Sequence, residues 1–125
     1  MGSKQMAKIL MVDDRNDNLL MTRVVVERKG HTFFALSASN EAAEAVAQHN
    51  PDLILLDYLL PGAVNGVELA HQLREGPAPH TPMILVTAST INDLPDRGKA
   101  TVFADFLQRP YTNDKLIAMI EAHLS

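Results

Sequence analysis

Cysteine is absent from the 125-residue chain. This excludes disulfides and thiolate metal ligands, and fits a reducing compartment. No apolar run approaches the roughly 20 residues needed to cross a bilayer. The N-terminus, Met1-Gly2-Ser3-Lys4-Gln5-Met6, is polar and lacks the apolar centre of a signal peptide. Residues 1–7 read as a tail, in part an expression remnant with Met6 the natural start, ahead of a single domain over 8–125. An excess of positive charge is lacking too: the net charge is −4 and the basic residues are scattered, so no nucleic-acid footprint stands out. There is no internal repeat, low-complexity tract or linker. What is present is ordinary for a globular domain, 46 % apolar and 21 % charged residues, enough for one sizeable core. The expectation is a soluble cytoplasmic module that does not engage membranes.

Apolar runs of strand length alternate with helical patterns, which points to βαβ units and a parallel sheet covered on both faces. Strands are expected over 8–12, 32–38, 52–57, 83–87 and 102–107. A helix over 16–29 would turn Leu20, Val24 and a neighbouring apolar row inward and stop at Gly30. Ser39 or Asn40 can cap an alanine-rich helix that ends at Asn50-Pro51. Further helices fit 67–74 and 112–123, the last with Leu116, Ile117, Met119 and Ile120 as its apolar positions. Between Ser89 and Thr101, Leu94-Pro95 and Gly98 leave little helical spacing, so a fourth helix should be short, shifted or absent. The right-handed crossover rule folds this (βα)5 series into a three-layer α/β sandwich.

Two of the strands end in acid. Asp13-Asp14 follows Ile9-Leu10-Met11-Val12, and Asp57 follows Leu53-Ile54-Leu55-Leu56. Ionised carboxylates at the edge of a core repel one another and lose hydration unless a cation or donors sit between them. The crevice beyond the carboxyl ends of a parallel sheet is where ligands bind. Together these features predict a small cation site built from three acids. Taken alone, Asp13 and Asp14 could instead cap the first helix and oppose its dipole.

Val12-Asp13-Asp14, Asp57, Thr87-Ala88 and Phe106-Leu107-Gln108-Arg109-Pro110 occur in order after strands one, three, four and five. Over essentially its whole length the chain resembles the receiver domain of two-component response regulators, or that of a hybrid histidine kinase. The resemblance implies a flavodoxin-like sandwich with strand order 2-1-3-4-5. It implies that Asp57 accepts a phosphoryl group from a histidine kinase or histidine phosphotransfer protein. Mg2+ would be held by Asp14 and Asp57, by Asp13 mainly through water, and by the backbone carbonyl of Leu59. Thr87, Ala88 and Arg109 would meet the phosphoryl oxygens. Thr87 and Phe106 would form the switch that a downstream protein reads, although Phe106 serves equally well as plain core.

The chain departs from the family at four places. Arg109 stands where the family has lysine, which keeps the charge but exchanges a compact ammonium for a planar fork. The loop over 61–66 is one residue longer than usual, and the Arg109–Pro110 bond is a candidate for the cis form. Leu59 and Ser89 flank the site and hold an attacking water poorly, pointing to slow autodephosphorylation. The altered fourth helix argues against a homodimer through that face. A chain of this length holds no output domain and fits a stand-alone regulator, a phosphate shuttle, or a receiver excised from a hybrid kinase or longer regulator. The alternative is a non-phosphorylated pseudo-receiver that acts as a protein-interaction module. A haloacid-dehalogenase-type phosphatase would need an acid where Leu59 stands, so an enzyme is not expected. A flavin binder would need free amides where Asp13-Asp14-Arg15 stands. The five histidines are dispersed and expected to be surface or satisfied residues.

Overall fold

Five parallel strands form one sheet in the order β2-β1-β3-β4-β5. They are β1 (Lys8–Val12), β2 (Thr32–Leu36), β3 (Leu53–Asp57), β4 (Met83–Thr87) and β5 (Asp105–Gln108). Four α-helices connect or follow them: α1 (Asn16–Arg28), α2 (Ala42–His49), α3 (Gly66–Glu75) and α4 (Asn113–Ala122). The computed structural model describes residues 6–62, 64–94 and 97–124. Most of the 1–7 tail, Ala63 in the long loop, and Pro95 lie outside the described residues. No helix among those described is long and apolar enough to cross a membrane.

The three central strands are covered on both faces, which is why they read as unbroken apolar runs. Leu53 to Leu56 are fully buried, with side chains alternating between two cores. One core lies under α1 and α4 and includes Ile9, Met11, Leu55, Val86 and Leu107. The other lies under α2 and α3 and includes Leu10, Ile54, Leu56, Leu85 and Phe103. Each such side chain contributes about 1.5–3 kcal/mol by leaving water.

Several element ends follow from local chemistry. Gly30 takes φ 90° after α1, and Asn50 takes φ 49° after α2, both in the left-handed region suited to them. Asn65 and Glu68 form a reciprocal capping box at the start of α3. Thr112 caps α4 by accepting from the Lys115 amide at 3.1 Å.

Four expectations need correction. Leu20 and Val24 do not face inward: they are 62 % and 51 % exposed, and α1 instead buries Leu19, Thr22, Val25 and Val26. Both of its stripes carry apolar residues, and the sheet selects the one that also lets the Thr22 hydroxyl donate to the Asn18 carbonyl at 2.8 Å. Neither Ser39 nor Asn40 caps α2 through a side chain; a 3-10 turn, Ser39–Glu41, leads into it. The fifth strand begins at Asp105 rather than at 102, because Val102 belongs to a 3-10 turn. His31 is not a satisfied histidine: its Nδ1 accepts from the Ala7 amide at 3.1 Å, while its buried Nε2 lacks a hydrogen-bond partner and lies 4.0 Å from Glu121.

The crossover from β4 to β5 holds the 3-10 turns Ile91–Asp93 and Arg97–Val102 and no α-helix among its described residues, as the sparse helical spacing predicts. Leu94, Ala100 and Phe103 fill the face that a helix would otherwise cover. Arg74 on α3 fastens this plug, donating to the Val102 carbonyl at 3.4 Å, and ties it to the loop before β4 by donating to the Ala78 carbonyl at 2.9 Å.

At the two edges of the sheet, side chains engage the strands. Arg23 on α1 lies over the Phe33 ring at 5.2 Å and donates to the Phe33 carbonyl of β2 at 3.5 Å. Asp105, the first residue of β5, pairs with His123 at 3.0 Å. Burial opposes ionisation of Asp105, but the His123 hydrogen bond and the Phe106 amide together leave its carboxyl below the usual range.

Gly66 opens α3 against the peptide after Asp57. A Cβ there would collide with the Asp57 backbone carbonyl, and the Gly66 amide donates to the Tyr58 carbonyl at 2.8 Å. Gly66→Ala is therefore expected to cost about 1–3 kcal/mol of stability through overpacking, read by urea denaturation. A wild-type midpoint in that variant would contradict the close approach.

Candidate functional site

Parallel strands of nearly equal length end level with one another, so the residues just beyond β1, β3, β4 and β5 meet at one rim. There Asp13, Asp14, Asp57, Thr87, Ala88 and Arg109 are brought together. All of these but Asp13 line a cleft of about 540 Å³. Asp13, Asp14 and Asp57 each present a carboxylate oxygen within 4.8 Å of the others.

The three acids sit in different environments. Asp13 is fully buried, Asp57 half-buried, and Asp14 exposed to the cleft. Asp13 is satisfied by three donors: the Arg15 amide at 2.9 Å on Oδ1, and Asn18 Nδ2 at 3.2 Å and Arg109 Nη2 at 2.6 Å on Oδ2. Asp57 is the least compensated. Burial, then the charges of Asp13 and Asp14, push its carboxyl up to about 6, opposed by the Arg109 charge and a hydrogen bond from the Leu59 amide. The donor set is all oxygen, with one member open to water, and this suits a hard, hydrated cation such as Mg2+.

On the β4 side, Thr87 is buried and its Oγ1 accepts from the Ser89 amide at 3.1 Å, leaving the hydroxyl proton free to donate elsewhere. Its carbonyl accepts from the Arg109 amide at 2.8 Å, tying the end of β5 to the end of β4. The Arg109–Pro110 bond is cis. Arg109 also lies 5.8 Å from the Tyr111 ring centroid, within reach of a cation–π contact. Leu59, 71 % exposed, and Ser89 stand at the cleft.

A family model described as the response regulator receiver domain matches residues 9–121. The chain belongs to the response regulator receiver family. It is 32 % identical over 118 residues to the phosphate regulon transcriptional regulatory protein PhoB of Rhizobium meliloti, covering 94 % of this chain and 52 % of that protein. It is 34 % identical over 119 residues to the transcriptional regulatory protein SpaR of Bacillus subtilis, covering 95 % and 52 %. The chain thus spans about half the length of these curated relatives. Among solved structures, the chemotaxis response regulator CheY4 of Vibrio cholerae matches with a TM-score of 0.86 and 24 % identity, over 95 % of this chain and 99 % of that one. The BeF3-activated DrrB receiver domain matches with a TM-score of 0.81 and 21 % identity, over 94 % and 97 %. At these identities the two structures speak for a shared fold.

Within this receiver, Phe106 is not among the residues that line the cleft. It packs against the core under α2 and α3, edge-on to Phe103 with centroids 6.1 Å apart. Two residues of the site were not singled out from sequence. Asn18 reaches Asp13 from the first turn of α1, and Tyr111 flanks Arg109. A polar residue one helical turn past Asp13 was the available signal for the former; an aromatic after Arg109-Pro110 was the signal for the latter.

The raised Asp57 pKa has a consequence for stability. An acid whose folded-state pKa lies above its unfolded value is easier to fold protonated. Its ionisation therefore destabilises the receiver as pH rises from about 4 through about 6. Asp57→Asn should stabilise the metal-free protein at pH 7.5, by on the order of 1 kcal/mol after allowance for solvent screening. The gain should vanish by about pH 4. Urea melts across that range check both signs, and a gain independent of pH would contradict the assignment.

Proposed function

We propose that this receiver is a phosphorylatable switch in a two-component phosphorelay, accepting a phosphoryl group on Asp57 from a histidine kinase or a histidine phosphotransfer protein. The observation that carries this reading is the state of Asp57. It is a half-buried carboxylate whose negative neighbours are incompletely offset, set in an open cleft beside a second charge-receiving wall of Thr87, Ala88 and Arg109. A carboxylate oxygen of Asp57 attacks phosphorus as the phosphohistidine N–P bond breaks; the imidazole leaves and an acyl phosphate remains on Asp57. Asp14, Asp57 and the Leu59 carbonyl, with Asp13 mainly through water, would hold Mg2+, which would supply neutralising charge for an anionic phosphoryl group meeting an anionic nucleophile. The Thr87 hydroxyl, the Ala88 amide and the Arg109 guanidinium then receive the phosphoryl oxygens.

Modification adds about −1.5 to −2 charges and three strong acceptors. Thr87 responds directly, and Phe106, edge-on to Phe103, follows it as the switch read by a downstream protein. Leu59 and Ser89 offer an attacking water little support, which favours a long-lived phosphoryl group. The protein is a signalling switch that takes part in its own phosphotransfer, not a turnover enzyme. Its place is the cytoplasm, with neither membrane nor, by itself, nucleic acid as partner.

The donor's docking face is the exposed apolar stripe of α1, Leu20, Met21 and Val24. Met21 borders a groove that also includes Asn18 and Arg109, the two residues bonded to Asp13. An apolar helix face laid there carries its phosphohistidine to the cleft mouth. A second reading, a pseudo-receiver that binds a partner without phosphorylation, is favoured by one observation: Arg109 is already engaged with Asp13.

Intact-mass analysis with Mg2+ and acetyl phosphate separates the two. The expected result is one added phosphoryl group in wild type and none in Asp57→Asn. No adduct in wild type, with no beryllofluoride binding, would leave the pseudo-receiver. The docking face has its own check. Leu20→Asp and Val24→Asp should slow transfer from a phosphorylated donor protein by about tenfold or more while leaving labelling by acetyl phosphate unchanged. Equal loss with both donors would move the docking face elsewhere.

A further inference from the structure

Of the three clustered acids, Asp13 is the one ion-paired to a guanidinium among the described residues. Arg109 Nη2 lies 2.6 Å from Asp13 Oδ2, and the guanidinium side chain is 21 % exposed while Asp13 is fully buried. Asn18 shares the same oxygen and the Arg15 amide takes the other. One of the three carboxylates that could hold a divalent ion is therefore already engaged by a fixed positive charge. Two cations sharing one carboxylate in a partly desolvated site weaken each other, and linkage makes the weakening reciprocal.

Arg109 has somewhere else to go. The Tyr111 ring centroid is 5.8 Å from its Cζ. Arg109 and Asn18 form a wall shared by two depressions, the acidic cleft and a groove of about 250 Å³ bordered by Met21, Pro110 and Tyr111. A change in the Arg109–Asp13 bond is therefore felt on both sides of that wall. A lysine has one ammonium on a flexible stem; the arginine fork can stay over the ring while releasing the carboxylate.

We propose that Arg109 is an internal counter-ion in competition with the divalent cation for Asp13, so that metal loading alone releases Arg109 towards Tyr111 and reshapes the adjoining groove before any phosphoryl transfer. This rests on the receiver reading above, and it adds a second input. The α1 side of the molecule then reports metal occupancy as well as phosphorylation. Arg109 acts as a positioning residue that sets metal affinity and transmits its change.

The test is a Mg2+ titration of the unphosphorylated protein by NMR, following the Arg109 guanidinium and the backbone amides of Asp14, Asp57 and Tyr111. In wild type the guanidinium signal protected by Asp13 should be lost, and the Tyr111 amide should move along the same isotherm as Asp14 and Asp57. Arg109→Gln should bind Mg2+ roughly tenfold more tightly, because a charge-assisted hydrogen bond no longer opposes it, and its Tyr111 amide should lose most of its response. Arg109→Lys should keep near wild-type metal affinity and show a weaker Tyr111 response. Equal Mg2+ affinity in wild type and Arg109→Gln, or an unchanged Arg109 guanidinium at saturating Mg2+, would overturn the competition while leaving the metal site in place. Absence of Mg2+-dependent shifts at Asp14 and Asp57 in every variant would overturn it together with the metal reading. Should Arg109→Gln fail to fold, the wild-type guanidinium signal decides the matter by itself.

Discussion

A fully buried carboxylate at the end of β1 constrains this molecule more than any other group. An ionised acid out of water is tolerated only when its oxygens are met by donors of suitable charge and geometry. Asp13 meets that condition by drawing on the loop after β1, on α1 and on the end of β5, through Arg15, Asn18 and Arg109. Three segments of the chain are thus positioned by one side chain. Leaving Asp13 without its guanidinium would expose a cost of about 3 kcal/mol, more than the intact pair contributes net. Because Thr87 accepts the Arg109 amide, the same constraint extends into β4, and the guanidinium that acts on Asp57 is already engaged with Asp13.

Much of this was legible in the chain. Four consecutive apolar residues followed by acid, as at Leu53-Ile54-Leu55-Leu56-Asp57, describe a strand buried on both faces with a polar end. The order of such strands sets the sheet, and parallel alignment places their ends together, so the grouping of Asp13, Asp14, Asp57, Thr87 and Arg109 follows from topology. The phase of α1 was not legible. Leu19, Leu20, Met21, Val24, Val25 and Val26 load two adjacent stripes, and periodicity has no means of choosing between them. The start of β5 was obscured for a related reason: Val102 and Phe103 look strand-like, but they close the 3-10 plug over the core. The partner of Arg109 was hidden as well, since three acids compete for it and only the depth of Asp13 decides.

The crossover between β4 and β5 shows how a sheet face is covered without a helix. Leu94, Ala100 and Phe103 enter the core as single side chains, and Arg74 holds the returning backbone at the Val102 carbonyl. Phe103 serves two purposes there, since it also gives Phe106 an aromatic edge to rest on. The segment that replaces a helix therefore supports the residue proposed to report on Thr87.

The Arg23 contact with β2 bears on how copies of this chain can meet. Thr32 donates to the Ala7 carbonyl, so alternate backbone groups of β2 turn away from β1, and the Phe33 carbonyl is one of them. An outward carbonyl on an edge strand is a template for another strand. Here the Arg23 guanidinium occupies it, with Glu27 holding the guanidinium at 3.2 Å and the Phe33 ring beneath. At the opposite edge, β5 is four residues long and starts with a carboxylate kept ionised by His123. Both margins of the sheet thus resist extension by a strand of a second chain.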